Sequence, residues 1–154
     1  DFERVDLCAL VRGCVEGYRS AYAPRAFTVD APAEPVAMRG APDLLAQMLD
    51  KLVANAVEFG LPDRPVEVRV ERAGGVARLS VGNDGPALPE ALAGRLFESM
   101  TSARGEAHRG GAAPHLGLGL YIVRLVAEAH GGNVVAENRP GASGVVVTVS
   151  LPVA

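Results

Sequence analysis

Two glycines, Gly117 and Gly119, stand one residue apart within an apolar run. Glycine carries no side chain, so the backbone at these positions can turn sharply and come close to a ligand. A glycine turn that opens into a helix also leaves N–H groups unpaired at the positive end of the helix dipole, which favours a phosphate. The apolar residues of the run repeat with the spacing of one helix face: Leu118, Ile122, Leu125, Val126 and Ala129.

The glycine pair alone does not decide between a phosphate site and a tight loop that feeds a core helix. The dinucleotide-binding pattern GxGxxG is broken by Ile122, and the sequence contains no GxxxxGK[ST] run. If phosphate binds at these glycines, the supporting residues must therefore lie elsewhere in the chain.

A second candidate is Asn55, which lies at the edge of the apolar face of a long predicted helix from Pro42 to Phe59. An amide at this place must find a hydrogen-bond partner, or it destabilises the fold by about 1 kcal/mol or more. Two interpretations remain open: a hydrogen bond to a neighbouring helix, or an oxygen ligand for Mg²⁺. This ion keeps several waters and takes its remaining ligands from substrate phosphates.

The composition narrows the class of protein. The chain has 154 residues, 49% of them hydrophobic and 21% charged, which is typical of one globular domain with a substantial core. Its net charge of −3 gives no electrostatic footprint for nucleic acid. Cys8 and Cys14 lie about 240° apart on a helical wheel, so we expect no mutual disulfide and a reducing, cytoplasmic compartment. Because the sequence begins at Asp1 without a methionine, we expect a fragment of a longer protein.

The other patterns predict the elements that must position these groups. A first helix begins after Asp6, a capping residue, and ends before Pro24. Alternating apolar residues predict short strands at 27–29 and 36–38, and a β-hairpin around Gly74-Gly75. After the glycine-led helix, which we expect to run to His130, a final hairpin ends at residue 151.

Residues 83–116 lose this regularity, which predicts a functional lid or a disordered segment. Elsewhere the alternating strands bury one face of a sheet, and three helices are available to cover it. The sequence therefore predicts a two-layer α/β sandwich with an antiparallel-rich sheet.

Four short motifs also resemble, in their order and spacing, the ATP-binding domain of sensor histidine kinases. The N box of that family is similar to Gln47-x3-Lys51-x3-Asn55-Ala56-x2-Phe59, and its G1 box to Asn83-Asp84-Gly85-Pro86-Ala87-Leu88-Pro89. Its F box is similar to Leu96-Phe97-Glu98, and its G2 box to Leu116-Gly117-Leu118-Gly119-Leu120-Tyr121-Ile122-Val123. The resemblance covers essentially all of the chain, including the His130-Gly131-Gly132 segment that follows the last helix.

This resemblance implies an α+β fold of the Bergerat (GHKL) type, with a mixed, mostly antiparallel sheet and three helices on one face. Residues 1–154 would form a single catalytic ATP-binding domain with a lid at about 84–116. The nucleotide would lie between the N-box helix and the G2 helix. The domain that carries the dimerisation helices and the phosphoacceptor histidine would be absent from this chain.

Carried over position by position, the resemblance assigns roles to individual residues. Asn55 would coordinate Mg²⁺ at the phosphates of ATP, and Asn83 would stand where the family's adenine-reading carboxylate usually stands. Gly85 would let the backbone approach the base. The phosphates would be held by Gly117 and Gly119 with the N–H groups of Leu118 and Leu120. The same resemblance places further residues among the nucleotide-binding set: Leu88, Phe97, Leu116 and, beside an adenine-side water network, Thr148.

The chain also departs from the family pattern. Lys51 replaces the first N-box asparagine, where it would reach a phosphate as a point charge and act in catalysis, and Glu58 replaces a basic residue. Gyrase-type relatives carry a glutamate general base at the Lys51 position, so we expect slow hydrolysis of ATP to water. Solvated surface charges remain the alternative for both residues. Ala87 and His115 replace family glycines beside the lid.

The resemblance therefore implies a kinase domain that binds Mg-ATP and transfers the γ-phosphoryl group to a histidine on its own dimerisation domain. The implied partners are that domain, within a homodimer, and a response regulator, with no nucleic acid. It implies a cytoplasmic domain of an inner-membrane receptor, attached to the membrane only through missing upstream segments. Two alternatives stay open: a nucleotide-binding regulatory module that has lost catalysis, and a protein-serine kinase of the anti-sigma type.

Overall fold

The computed structural model describes residues 1–88, 115–139 and 143–153. Three helices and seven strands follow one another along these parts of the chain. Their bounds are β1 (Glu3–Asp6), α1 (Leu7–Ala21), β2 (Phe27–Asp30), β3 (Ala37–Gly40), α2 (Pro42–Phe59), β4 (Val66–Ala73), β5 (Val76–Asn83), α3 (His115–Ala129), β6 (Asn133–Asn138) and β7 (Val145–Pro152).

The main sheet has five strands in the order β2-β4-β5-β7-β6. Strand β2 runs parallel to β4, and the remaining neighbours are antiparallel, so the sheet is mixed and mostly antiparallel, as predicted. Alternate residues of β4, β5 and β7 are buried, and they form one hydrophobic core with the apolar faces of the three helices. The predicted two-layer sandwich is therefore confirmed.

The predicted hairpin and the second helix agree closely with the structure. Residues flanking Gly74, whose φ is +61°, pair in register from Ala73 with Val76 to Glu67 with Gly82. Helix α2 begins at Pro42 and ends at Phe59, as its apolar repeat and the proline at its start predicted. A strong period of apolar residues, together with a proline or glycine at the end of the element, is therefore enough to predict where such an element begins and ends.

The short strand β1 is a feature that the sequence did not reveal. It pairs antiparallel with β3 in a separate two-stranded sheet, where Val5 faces Met38. Asp6 caps α1 as predicted, accepting from the Cys8 N–H at 3.1 Å, and it also accepts from the Val36 N–H at 3.3 Å. Four residues with one buried apolar side chain carry too little alternation to predict a strand.

The paired glycines are helical, so the prediction of a glycine turn ahead of the last helix was wrong. Helix α3 begins at His115, and Gly117 and Gly119 lie in its first two turns. Two glycines cost a helix about 0.5–1 kcal/mol each. Burial of Leu120 and Val123 against the core offsets that cost.

His130 immediately follows α3, which ends at Ala129 rather than at His130 as predicted. Its ring is buried and joins two elements. Nδ1 donates to the Val126 carbonyl at 2.8 Å, and Nε2 accepts from the Ala41 N–H at 3.1 Å. Ala41 is the residue before α2 and has no side-chain cap, so this histidine joins the end of α3 to the start of α2.

Within the described ranges, none of the helices combines the length and the apolar character needed to cross a bilayer.

Candidate functional site

A cavity of about 400 Å³ lies where the middle of α2 faces the beginning of α3. Lys51 and Asn55, the two residues predicted to act on the phosphates, both line it, and so does Gly119. The structure therefore brings together the amide of α2 and Gly119, the second glycine of the pair in α3. The complete lining is Tyr22, Lys51, Ala54, Asn55, Val57, Glu58 and Gly119.

Helix periodicity explains why α2 presents these side chains together. Lys51, Asn55 and Glu58 are separated by four and three residues, so they share one face of the helix. The opposite face is buried in the core through Met48, Leu52 and other apolar residues. Burial of that face fixes the rotation of the helix and directs the polar face towards α3.

The oxygen Oδ1 of Asn55 is buried, and no hydrogen-bond partner for it lies among the residues described by the structure. Leaving a buried acceptor unpaired costs about 1–3 kcal/mol. The predicted hydrogen bond to a neighbouring helix is thus not seen in this part of the chain. A side-chain amide oxygen is the kind of hard ligand that Mg²⁺ takes, so the residue fits the predicted metal.

The start of α3 lies over Lys51 with space between the two helices. A Cβ atom added to Gly119 would come no closer than 4.0 Å to the Cβ of Lys51, which is ordinary van der Waals contact. In a regular helix that begins at His115, the N–H groups of the first three residues have no intrahelical acceptor, and they include that of Gly117 but not that of Leu118. The N–H of Leu120 lies beyond them, and its side chain is in the core.

The residues predicted to bind the base pack against the other end of α2. Asn83, at the end of β5, is 4% exposed. Gly85 has φ of +154°, and a Cβ atom there would lie 2.8 Å from the Phe59 carbonyl oxygen. A Cβ atom on Gly60 would lie 3.0 Å from the Cβ of Asn83, so Gly60 and Gly85 permit this close packing.

Asp84 is held by two arginines that the sequence analysis did not single out. Its Oδ2 accepts from Arg64 Nε at 2.8 Å, and its Oδ1 accepts from Arg139 at 2.8 Å. The hydrogen bond from Arg64 lowers the pKa of Asp84 below its ordinary value, and Arg139 adds to this effect. We call Arg64, Asp84 and Arg139 the carboxylate clamp.

Arg139 reaches across the sheet to form this clamp. Its guanidinium also pairs with Glu67 on β4, and a Cβ atom on Gly82 would lie 3.1 Å from it. Because Gly82 has no side chain, the guanidinium of Arg139 has room beside this part of β5. The sequence offered one indication of this clamp. Asp84 places a carboxylate one residue after the position at which the family usually carries its adenine-reading carboxylate.

The remaining predicted residues lie in different places. Leu88 is tied to the end of β6: its N–H donates to Asn138 Oδ1 at 2.7 Å, and its carbonyl accepts from Asn138 at 3.2 Å. Thr148 pairs with Ser80 and lies on the sheet face opposite the buried residues Val147 and Val149, so it is not brought to the cavity. Leu116 is in the first turn of α3.

Two other predictions fall outside the described residues. Phe97 is one, and the predicted lid at about 84–116 is the other, except for its two ends.

The sandwich and the cleft between two of its helices define the class as an ATP-binding domain of the Bergerat type. Residues 40–154 match the family model described as "Histidine kinase-, DNA gyrase B-, and HSP90-like ATPase", and the chain belongs to this family.

Sensor kinases are prominent among the relatives. The chain is 35% identical over 150 residues to the sensor protein CutS of Streptomyces coelicolor, covering 97% of this chain and 36% of CutS. It thus spans about a third of the length of this curated relative.

Solved structures of histidine kinases have the same fold. The mycobacterial sensor histidine kinase MprB superposes with a TM-score of 0.82 at 26% identity, covering 99% of this chain and 97% of that one. The nucleotide-free catalytic domain of the histidine kinase ThkA gives a TM-score of 0.80 at 26% identity, with 99% and 96% covered. ThkA has also been solved in complex with the response regulator protein TrrA, a chain of which this sequence covers 42% (99% of this chain; TM-score 0.80, 24% identity).

Proposed function

We propose that this chain binds Mg-ATP and positions its γ-phosphoryl group for transfer to a histidine on a separate dimerisation domain. The observation that carries the proposal is the cavity shared by Asn55, Lys51 and Gly119, together with the buried Asn55 oxygen, for which the described part of the chain offers no partner. A phosphate-bearing ligand with a hard cation would supply a partner for this oxygen and a counter-charge for Lys51.

Each group at the cavity has a distinct part in binding. Asn55 Oδ1 would hold Mg²⁺, which neutralises phosphate charge when bound. The free N–H groups at the start of α3 would donate to phosphate oxygens at the positive end of the helix dipole. Lys51 would add a point charge on the same side. Asn83 and Gly85 would contact the base at the far end of α2.

The chemical step needs positioning and charge neutralisation rather than covalent chemistry by this domain. The γ-phosphoryl group passes to an imidazole nitrogen of the acceptor histidine, and ADP leaves with the electron pair of the broken P–O bond. Lys51 stands where gyrase-type relatives carry the glutamate that would activate water, so the carboxylate base is missing at this position. We therefore expect transfer to histidine to exceed hydrolysis to water.

The acceptor histidine would come from the dimerisation domain of the full-length protein. His130 is buried and uses both ring nitrogens in hydrogen bonds, so it is not available as an acceptor. Because the proposed acceptor lies on that other domain, we expect no autophosphorylation of the isolated chain. The ThkA–TrrA complex supports a response regulator as the next partner. The cytoplasmic face of an inner membrane is the location that we infer for the domain.

Glu58 favours a second candidate, a nucleotide-binding regulatory module that has lost catalysis. Its carboxylate lines the same cavity and would repel phosphate oxygens. A kinase requires Mg²⁺ to bind ATP productively, whereas a nucleotide-binding module that has lost catalysis need not require the metal. Titration of ATP in the presence of Mg²⁺ and of a chelator therefore separates the two functions.

The direct test mixes the chain with the helical dimerisation domain of its own full-length protein and γ-labelled ATP. We expect acid-labile label on histidine only when both parts and Mg²⁺ are present. Label on a serine of a partner protein would instead support the anti-sigma type of kinase. Bound ATP without any labelled histidine would contradict the proposed function.

A further inference from the structure

Asn83 is a neutral amide at the place where the proposed function puts the nucleotide base. It is 4% exposed and packs against Gly60 at the end of α2. Gly60 lies five residues after Asn55, which is about 7.5 Å along a helix axis. A hydrogen bond to a ligand at so buried a position discriminates strongly, because an unmatched polar group there stays unpaired.

The neighbouring carboxylate cannot take the place of this amide. Successive residues of a strand point to opposite faces of the sheet, and Asn83, the last residue of β5, lies on the face that the helices cover. The guanidinium of Arg139, which binds Asp84, lies beside Gly82 on the opposite face. Both oxygens of Asp84 are engaged, one by Arg64 and one by Arg139, each at 2.8 Å. Of these two side chains, the amide of Asn83 is therefore the one left to meet the base.

The amide of Asn83 can present either of its ends. Its Nδ2 donates to the Asp84 carbonyl oxygen at 3.4 Å, a long hydrogen bond. The same carbonyl accepts from the Leu61 N–H at 2.7 Å, so it stays paired if the amide rotates by half a turn. Rotation would exchange the donor and the acceptor, but it would give up this long hydrogen bond and turn Oδ1 towards the Asp84 carbonyl oxygen, so the present orientation is the more stable of the two.

We propose that Asn83, at the base end of the proposed nucleotide-binding site, allows this site to accept 6-oxopurine nucleotides, such as GTP and ITP, as well as ATP. Adenine carries an amino group at C6, which donates to Asn83 Oδ1. A 6-oxopurine in the same pose carries a carbonyl oxygen at that position, which accepts from Asn83 Nδ2. A carboxylate can only accept, so it would pair with the amino group and repel the carbonyl. This inference rests on the proposed function, because it needs the base beside Asn83.

Base analogues test the proposal on the unmodified chain. We would measure the Kd of Mg-ATP, Mg-ITP and the Mg complex of purine riboside triphosphate, which has only hydrogen at C6, by calorimetry. ITP is preferred to GTP because it lacks the extra 2-amino group.

The expected order is a Kd for ATP and ITP within about tenfold of each other, and a weaker Kd for purine riboside triphosphate. ITP weaker than ATP by more than about a hundredfold would overturn the proposal. Equal affinity for all three would also overturn it, because the amide would then not read C6. Binding of none of them would overturn the proposed function itself.

The variant Asn83→Asp provides the second arm, with Ser80→Ala on the opposite face of β5 as its matched control. We expect Asn83→Asp to raise the ratio of the Kd for ITP to the Kd for ATP by about tenfold or more, and Ser80→Ala to leave it unchanged. An unchanged ratio in folded Asn83→Asp would overturn the proposal. If circular dichroism shows that Asn83→Asp does not fold, the analogue series on the unmodified chain decides.

Discussion

Helix α2 contacts two regions that differ in how completely their polar groups are paired. At its C-terminal end, the base-side region (Gly60, Asn83, Asp84 and Gly85, with Arg64 and Arg139) is closely packed and held by charged hydrogen bonds. At its middle, the phosphate-side cleft (Lys51, Asn55, Glu58 and Gly119) is open, and a buried oxygen in it is unpaired within the described residues.

This difference separates the groups that stabilise the fold from the groups that are available to a ligand along one helix. Groups that stabilise the fold already have their partners, as Asp84 has its two arginines. A buried group left without a partner in the described chain, such as Asn55 Oδ1, lowers stability and requires another explanation. A ligand is the explanation that the shape of the cleft supports. Substitutions in the base-side region should therefore mainly lower stability, whereas substitutions in the phosphate-side cleft should mainly change nucleotide binding.

The largest difference is expected between the glycines of the two regions. Gly85→Ala should lower the free energy of unfolding by about 2–4 kcal/mol, because φ is positive and the new Cβ meets the Phe59 carbonyl. Gly119→Ala, within α3 and without a close neighbour, should raise it by about 0.5–1 kcal/mol. Urea denaturation of both variants measures the two values. Equal destabilisation would remove the contrast between the regions.

The carboxylate clamp should show a smaller effect. Arg139→Ala removes a mostly buried guanidinium from two carboxylates, whereas Arg64→Ala removes one that is 59% exposed. We therefore expect a fall in Tm for both variants, and a clearly larger fall for Arg139→Ala. Thermal melts followed by circular dichroism would decide, and a larger effect of Arg64→Ala would contradict the assigned role of Arg139.

The clamp also predicts how stability depends on pH. Folding lowers the pKa of Asp84 below 3.8, so its contribution is present above that pH and is lost as pH falls through the lower, folded value. Asp84→Asn should be less stable than the unmodified chain at neutral pH, and the difference should shrink below about pH 3.8. Urea midpoints from pH 7 to pH 2.5 measure this. A difference that stays constant over the range would exclude the carboxylate as its source.

The smallest effect is expected at Glu58, which lies in the cleft but is exposed. Glu58→Gln removes a negative charge that faces the proposed phosphates. The affinity for Mg-ATP should rise by about two- to threefold at low salt, and the gain should decline as salt screens the charge. Calorimetry at two ionic strengths provides the measurement. A loss of affinity would instead assign Glu58 a favourable contact with the nucleotide.

The sequence predicted the fold well where periodicity was strong. The bounds of α2 and the hairpin of β4 and β5 followed from apolar spacing and from Pro42 and Gly74. It did not predict β1, because four residues with one buried side chain have no readable period. It also placed the glycine pair ahead of α3, since propensity cannot show that the burial of Leu120 outweighs the cost of helical glycine.

Sequence spacing identified cavity-lining residues that share one element, but not contacts between distant elements. Lys51 and Asn55 share a helix face, so spacing alone indicated that they act together. Arg139, which follows β6, and Asp84, which follows β5, are 55 residues apart and meet because β7 pairs with both strands and Gly82 leaves room. No local pattern carries that information. The position of Thr148 depended on strand register in the same way.

The most direct test of the account is the effect of Asn55→Ala on the metal dependence of ATP binding. We would measure the Kd for ATP by calorimetry with Mg²⁺ and with EDTA, together with the free energy of unfolding. The account predicts that the unmodified chain binds at least about tenfold more tightly with Mg²⁺, whereas Asn55→Ala binds weakly and equally in both conditions. The variant should lose no stability from removal of the unpaired oxygen. Undiminished, Mg²⁺-dependent binding by Asn55→Ala would contradict the central claim that this oxygen and the start of α3 hold a metal-bound triphosphate.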